Sequence, residues 1–393
     1  MRDSTDRRTF LATGVRAGIG ALAAGHFGCR PAADTGGTGQ TGVPQALIAD
    51  LEQRIPRALA EHNVPGLSIA LVRSSRLVWQ RGFGMADAAS KMPVDPATIF
   101  EAQSMSKPVF AYAALKLCEA GVISLDTPLT TYTPDRPVSG DPRLDLITAR
   151  HVLSHTTGFQ NWRGPKDPLS IHFTPGSRWQ YSGEGYSFLQ SVMTRLTGHT
   201  DPSVCETFEA EFRVCATDID AYMKAHLLVP FEMTASGYVW DDAWAGRIAR
   251  PHDAKGVPLE KRHPNAAAAA RYASSGGLHA TATDYARFLI EVIAPKPADA
   301  FRLTSDSLRA MTRPAIAVPD DPRRSSWALG WQVFPTADGD VIAHGGDGLG
   351  FHSFAVASVS HRSAYVVMTN GENGWKLLQQ LVSNDEMHRL LIV

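Results

Sequence analysis

Residues 100–121 read FEAQSMSKPVFAYAALKLCEAG. Apolar side chains at Val109, Phe110, Tyr112, Ala113, Ala114, Leu115 and Leu117 cover most of a helical circumference, which places this helix inside a core. Gly121 stands where a left-handed C-terminal cap is expected. The mouth of the helix, by contrast, carries the polar residues Gln103, Ser104, Ser106 and Lys107. Ser104 and Lys107 are three residues apart, so on a helix their side chains share one face within hydrogen-bonding reach. Pro108 falls in or near the first turn, where a missing N–H costs little. A serine beside a lysine, both shielded from water, is a nucleophile beside a base.

The flanking pattern sets the architecture. A short helix is expected near 45–62, and LSIALVRSSRLVWQRGFGMAD (67–87) alternates into two strands with a turn at Ser74-Ser75. From about 122 to 275 the chain reads as short helices and loops rich in Pro, Gly and Thr. TATDYARFLIEVI (281–293) and TSDSLRAMT (304–312) are amphipathic helices. Strand signals return in SWALGWQVFP, GDVIAHGG, HSFAVASVS and SAYVVMTN, and a helical segment follows Gly374. SSGG (274–277) reads as the return to the sheet. The fold class expected is α+β: a largely antiparallel sheet flanked by helices, interrupted by an all-helical lobe.

Bulk properties bound the function. A chain of 393 residues and 42.5 kDa has the mass of two domains or of one domain with two lobes. Its net charge is -1 and its Lys and Arg are dispersed, which points away from nucleic acid and anionic surfaces toward a small ester, amide or peptide substrate. The 14 His include no HExxH pair and the four Cys no CxxC, so neither a metal nor another cofactor is expected. Residues 1–29 carry Arg7-Arg8-Thr9-Phe10-Leu11 before a weakly apolar run, as in a twin-arginine export signal, and are read as addressing the chain to the periplasm or outside the cell. The run is too short and too broken for a membrane span. Cys29, at its end, is a candidate lipid anchor. Residues 30–44 have linker composition and 45–393 form the catalytic domain. In an oxidising compartment Cys205 and Cys215 are candidates for a bridge, while Cys118 reads as a buried free thiol.

Ser-x-x-Lys by itself arises often by chance in a chain this long, so partners are needed. PGSRWQYSGEGYSFLQ (175–190) presents Tyr181, Ser182 and Gly183 from a polar loop before a helix. AHGGDGLGFHS (343–353) ends a strand with His344, Gly345 and Gly346, where bare glycines admit close backbone approach and loop N–H groups face a developing oxyanion.

In this order the three motifs resemble those of the penicillin-recognising serine hydrolases: class C β-lactamases, D,D-carboxypeptidases, D-aminopeptidases and β-lactamase-like esterases. LITARHVLSHTTGF, RLTG, LLVPFEMTASGY and SSGGLHATATDYARFL are similar to the family's connecting segments, so the resemblance spans about residues 45–390. It implies that Ser104 forms an acyl-enzyme, that Lys107 and Tyr181 share the proton transfers, and that the backbone N–H groups of Ser104 and Asp347 hold the oxyanion. Which of Lys107 and Tyr181 takes the first proton stays open. His344, Gly345, Gly346 and Gly183 are the expected substrate-binding positions.

Two departures bear on substrate. Gly183 replaces the asparagine of the family's Tyr-x-Asn, removing an amide that grips an acylamide. His344 replaces a lysine, and a histidine is only partly charged near neutrality. Both favour an esterase or a D-amino-acid amidase or peptidase over the alternatives, a β-lactamase or D,D-carboxypeptidase; a non-catalytic cell-wall-peptide binder is the alternative of another class. A Ser-His-Asp hydrolase of the α/β type is excluded by the lack of G-x-S-x-G. His151 and His155 read as helix-end histidines satisfied by local backbone, and Glu184 as a solvated loop carboxylate. His352 is a strand residue whose facing is open. Trp162, Trp179, Trp327 and Trp331 are either an aromatic acyl pocket or core.

Overall fold

The alternation in residues 66–73 is used on both faces. Leu67, Ile69 and Leu71 enter one hydrophobic core, Ala70 and Val72 another, and all five are fully buried. Burial of each large side chain stabilises the fold by about 1.5–3 kcal/mol relative to exposure. A computed structural model describes residues 45–163, 167–198, 216–260, 272–382 and 387. The expected export signal, linker, Cys29, Cys205 and Cys215 lie outside the described residues.

In chain order the elements are α1 (Gln45–His62), β1 (Gly66–Arg73), β2 (Arg76–Asp87), β3 (Met92–Pro93), β4 (Phe100–Glu101), α2 (Ser106–Glu119), α3 (Ala149–Leu153), α4 (Gly183–Thr197), α5 (Ala216–Met223), α6 (Ala273–Gly276), β5 (His279–Ala280), α7 (Ala282–Ile293), α8 (Ser305–Thr312), β6 (Ile316–Ala317), β7 (Ser326–Trp327), β8 (Gln332–Phe334), β9 (Val341–Gly348), β10 (Phe351–Ser358), β11 (Ser363–Thr369) and α9 (Gly374–Val382). Among the described residues nine strands make one antiparallel sheet in the order β3-β2-β1-β11-β10-β9-β8-β7-β6. β1 and β11 pair directly, with Ile69 opposite Val367, so the two ends of the sequence are joined at the centre of the sheet. Ser74 and Ser75 have φ of 49° and 61°, the left-handed pair that a two-residue hairpin turn requires.

The sheet is a middle layer. Against one face lie α1 and α9, and against the other α2, α7 and the helices between residues 122 and 275. Among the described residues of that stretch no strand ladder exceeds a single bridge. The α+β class with a helical lobe is therefore present as expected. One local expectation differs: after Gly277 the chain does not rejoin the main sheet. His279 and Ala280 pair instead with Glu101 and Phe100 in a separate two-stranded sheet, because Thr281 at once caps α7 and leaves no length for more. This small ladder ties the residues before Ser104 to those after Ser275.

Candidate active site

Ser104 sits in a tight turn, Gln103–Met105, that leads into α2. Gln103 holds a left-handed φ of 51°, a conformation that costs about 1–3 kcal/mol and persists only when its surroundings enforce it. The enforcement is visible. Ser106 Oγ donates to the Gln103 carbonyl at 2.6 Å and accepts the Leu278 N–H at 2.9 Å. Tyr285 Oη donates to the Met105 carbonyl at 2.9 Å. α2 is buried nearly throughout and ends at Gly121, whose φ of 71° is the left-handed cap its position predicts.

Lys107 is fully buried. Its Nζ donates to Ser104 Oγ at 3.2 Å and to the Ser275 carbonyl at 2.7 Å, and it lies 4.7 Å from the centre of the Tyr181 ring. Burial pushes its pKa well below the ordinary lysine value. Tyr181 moves the opposite way: burial raises its pKa, against a hydrogen bond with Ser104 that lowers it. The serine thus lies between an amine that gives up its proton readily and a phenol that keeps its own.

β9 forms the opposite wall. The β8–β9 ladder stops at the pair Gln332–Ala343, so from His344 onward the outer backbone edge of β9 has no strand beside it among the described residues. The glycines serve protein contacts as well as openness. A Cβ on Gly346 would lie 2.2 Å from the Ala102 carbonyl oxygen, and one on Gly345 would lie 2.6 Å from the Trp375 indole. Only a bare backbone lets β9 approach the serine turn this closely. The Asp347 carboxylate turns to the far side of the sheet, where Oδ1 accepts from Trp375 Nε1 at 3.0 Å and pairs with His352 Nδ1 at 2.8 Å. His352 faces that side too.

His344 is 3% exposed. Its Nδ1 lies 2.8 Å from the Gly345 carbonyl, which only accepts, so Nδ1 carries the proton and Nε2 presents a bare lone pair without a partner among the described residues. Burial, reinforced by Lys107, lowers its pKa to about 3. The partial positive charge expected from the sequence is absent: the residue is a neutral acceptor at neutral pH.

Gly183 also has a reason beyond the lost amide. A Cβ there would lie 2.1 Å from the indole of Trp162, which is 37% exposed and stands 5.6 Å from Lys107 Nζ. The indole occupies the room a side chain at 183 would need. Trp162 therefore walls the site, Trp327 is buried beneath Tyr181 at 5.6 Å between rings, and Trp331 is core, stacked on Phe288. Trp179 packs on Trp327.

Two expectations are corrected. Glu184 is fully buried and ion-paired with Arg163 at 3.3 Å, because it lies in the first turn of α4 on the face turned inward. His155 is fully buried and bonded to distant backbone rather than local: its Nδ1 accepts the Ser182 N–H at 3.0 Å, and its ring lies 4.1 Å from that of Tyr181. His151 does behave as a helix-end residue, with Nδ1 3.1 Å from the Leu146 carbonyl. Sequence reading missed the Ser275 carbonyl, Trp162 at Gly183, and His155. Their only signals were proximity to motifs.

The chain's similarities agree with this geometry. A family described as Beta-lactamase matches residues 51–380. Esterase EstB of Burkholderia gladioli is 27% identical over 338 residues, 73% of this chain and 79% of that protein. Penicillin-binding protein 4* of Bacillus subtilis strain 168 is 21% identical over 354 residues, 83% of this chain and 72% of its own. In structure, a Beta-Lactamase/D-Alanine Carboxypeptidase from Pseudomonas syringae superposes with a TM-score of 0.70 at 18% identity, covering 86% of this chain and 98% of that one.

Proposed function

This chain belongs to the Beta-lactamase family of serine hydrolases, and on that premise we propose that it cleaves a small ester, or an amide, through an acyl-enzyme on Ser104. The observation that carries the proposal is the fully buried Lys107 amine 3.2 Å from Ser104 Oγ. An amine whose charge is disfavoured by burial is a base near neutrality, whereas Tyr181 retains its proton. In acylation Ser104 Oγ attacks the substrate carbonyl carbon and its proton passes to Lys107. The oxyanion is held by the N–H groups of Ser104 and Asp347. As the tetrahedral intermediate collapses, the bond to the leaving oxygen or nitrogen breaks, Tyr181 gives that atom its proton, and Lys107 restores the proton of Tyr181. A water then hydrolyses the acyl-enzyme by the reverse relay.

Two features support a substrate without a carboxylate near the scissile bond. His344 offers a neutral acceptor where a fixed cation would bind an anion, and Gly183 under Trp162 offers no amide to an acylamide side chain. Penicillins and peptide C-termini carry both groups; simple esters carry neither. The 27% identity to an esterase points the same way.

Intact-mass spectrometry of protein quenched during turnover of a p-nitrophenyl ester tests the reading. The unaltered protein is expected to gain the mass of the acyl group, and Ser104→Ala to gain none and to lose turnover. Full turnover by Ser104→Ala would sink the mechanism. Rapid consumption of penicillin would move the assignment to the β-lactamase alternative.

A further inference from the structure

His155 follows α3, and no step above uses it. It grips the loop of Tyr181 at three points. Its carbonyl accepts the N–H of Gln180 at 2.8 Å, its Nδ1 accepts the N–H of Ser182 at 3.0 Å, and its ring covers Tyr181 at 4.1 Å with 31° between the planes. The residues on both sides of Tyr181 are thereby tied to one side chain and its own backbone. Trp327 backs the arrangement, 4.9 Å from the His155 ring and 5.6 Å from that of Tyr181.

The arrangement is held at a cost. His155 has a left-handed φ of 56°, a conformation few side chains adopt without enforcement. Because Nδ1 accepts a backbone N–H, the ring proton of the neutral form sits on Nε2, which is buried and has no partner among the described residues. An apolar ring of similar size would fill the same space without an orphaned donor, yet would leave the Ser182 N–H unmet. A strained, incompletely satisfied residue pressed against a proposed proton donor is the pattern of a residue kept for function.

We propose that His155 is a positioning residue that sets the aim of the Tyr181 hydroxyl at the leaving group; this rests on the role given to Tyr181 above. Displacement by about 1 Å costs on the order of 10²-fold in a step that depends on alignment. The loss falls unevenly across substrates. An ethyl ester must receive a proton as ethanol leaves, whereas p-nitrophenolate departs as a stable anion and needs none.

The test compares ethyl and p-nitrophenyl butyrate with the full chain. His155→Phe is expected to lower kcat/KM, which reports acylation and not the deacylation that both butyrates share, by about 10²-fold for the ethyl ester and far less for the p-nitrophenyl ester. His155→Asn tolerates the left-handed backbone and offers an oxygen to the Ser182 N–H but lacks the ring, so it shifts the same ratio by a smaller factor, about 10. It carries the comparison if His155→Phe does not fold. In a Tyr181→Phe background, His155→Phe should add almost nothing. Equal losses on both esters, or a full additional loss in the Tyr181→Phe background, would overturn the inference while leaving the Tyr181 role intact. Should Tyr181→Phe alone leave ethyl ester turnover unchanged, the role of Tyr181 falls, and this inference with it.

Discussion

Lys107 is a stability liability, set against its proposed role as the base at Ser104. An ammonium in a fully buried position is disfavoured, so its folded pKa lies below the value near 10.4 of the unfolded chain. The sign follows: below the unfolded value the unfolded chain binds the extra proton, so Lys107 costs stability there, and the cost fades as pH rises toward about 10. Lys107→Met keeps the stem and removes the charge. It should abolish the proposed ester turnover while raising stability at pH 7 by about 1–2 kcal/mol, a gain that shrinks as pH approaches 10. Urea midpoints at pH 7 and pH 9.5 measure both. A variant less stable than the unaltered chain at pH 7 would mean that the Ser104 and Ser275 contacts outweigh the burial penalty.

At the scale of elements, the site is a junction of four pieces joined at two close approaches. The serine turn meets β9 at Gly346, and the start of α4 meets the 158–163 loop at Gly183. That loop also caps α4: Asn161 Oδ1 accepts the Gly183 N–H at 2.9 Å, and the Asn161 carbonyl accepts the Glu184 N–H at 3.2 Å. Gly183→Asn, which restores the family's usual residue, should therefore collide with Trp162 and cost about 1–3 kcal/mol. In a Trp162→Ala background the same substitution should cost much less, a coupling read from the four denaturation midpoints of the cycle. Additive effects would show that Trp162 is not what reserves position 183 for glycine.

At the scale of the whole molecule, five of the described histidines are held toward the neutral form by burial. Burial lowers the pKa of His344 to about 3 and of His279 to about 4, and depresses His155, His252 and His151. The unfolded chain takes up these protons near pH 6.5, so folding is favoured fully above that value and loses ground as pH falls toward 4. A histidine held at about 3 contributes a loss of at most about 2 kcal/mol by pH 5. The urea midpoint should fall clearly from pH 7 to pH 5, and less for His344→Gln. A flat profile over that range would mean these rings are charged in the folded protein.

Much of this was legible before any coordinates. The buried helix after Ser104, its Gly121 stop, the Ser74-Ser75 hairpin, the strands of 341–369 and the amphipathic α7 and α8 follow from side-chain period and turn chemistry, which are local and survive in one dimension. So does the juxtaposition of Ser104 and Lys107, three residues apart on one helix end. The rest depended on contacts between residues far apart in the chain. Gly183 needs Trp162 to be understood, Lys107 needs the Ser275 carbonyl, and His155 needs Tyr181 and Ser182. The charge of His344 and the burial of Glu184 were misjudged for one reason: ionisation follows the loss of water, and which groups lose their water is decided only when distant segments close around them.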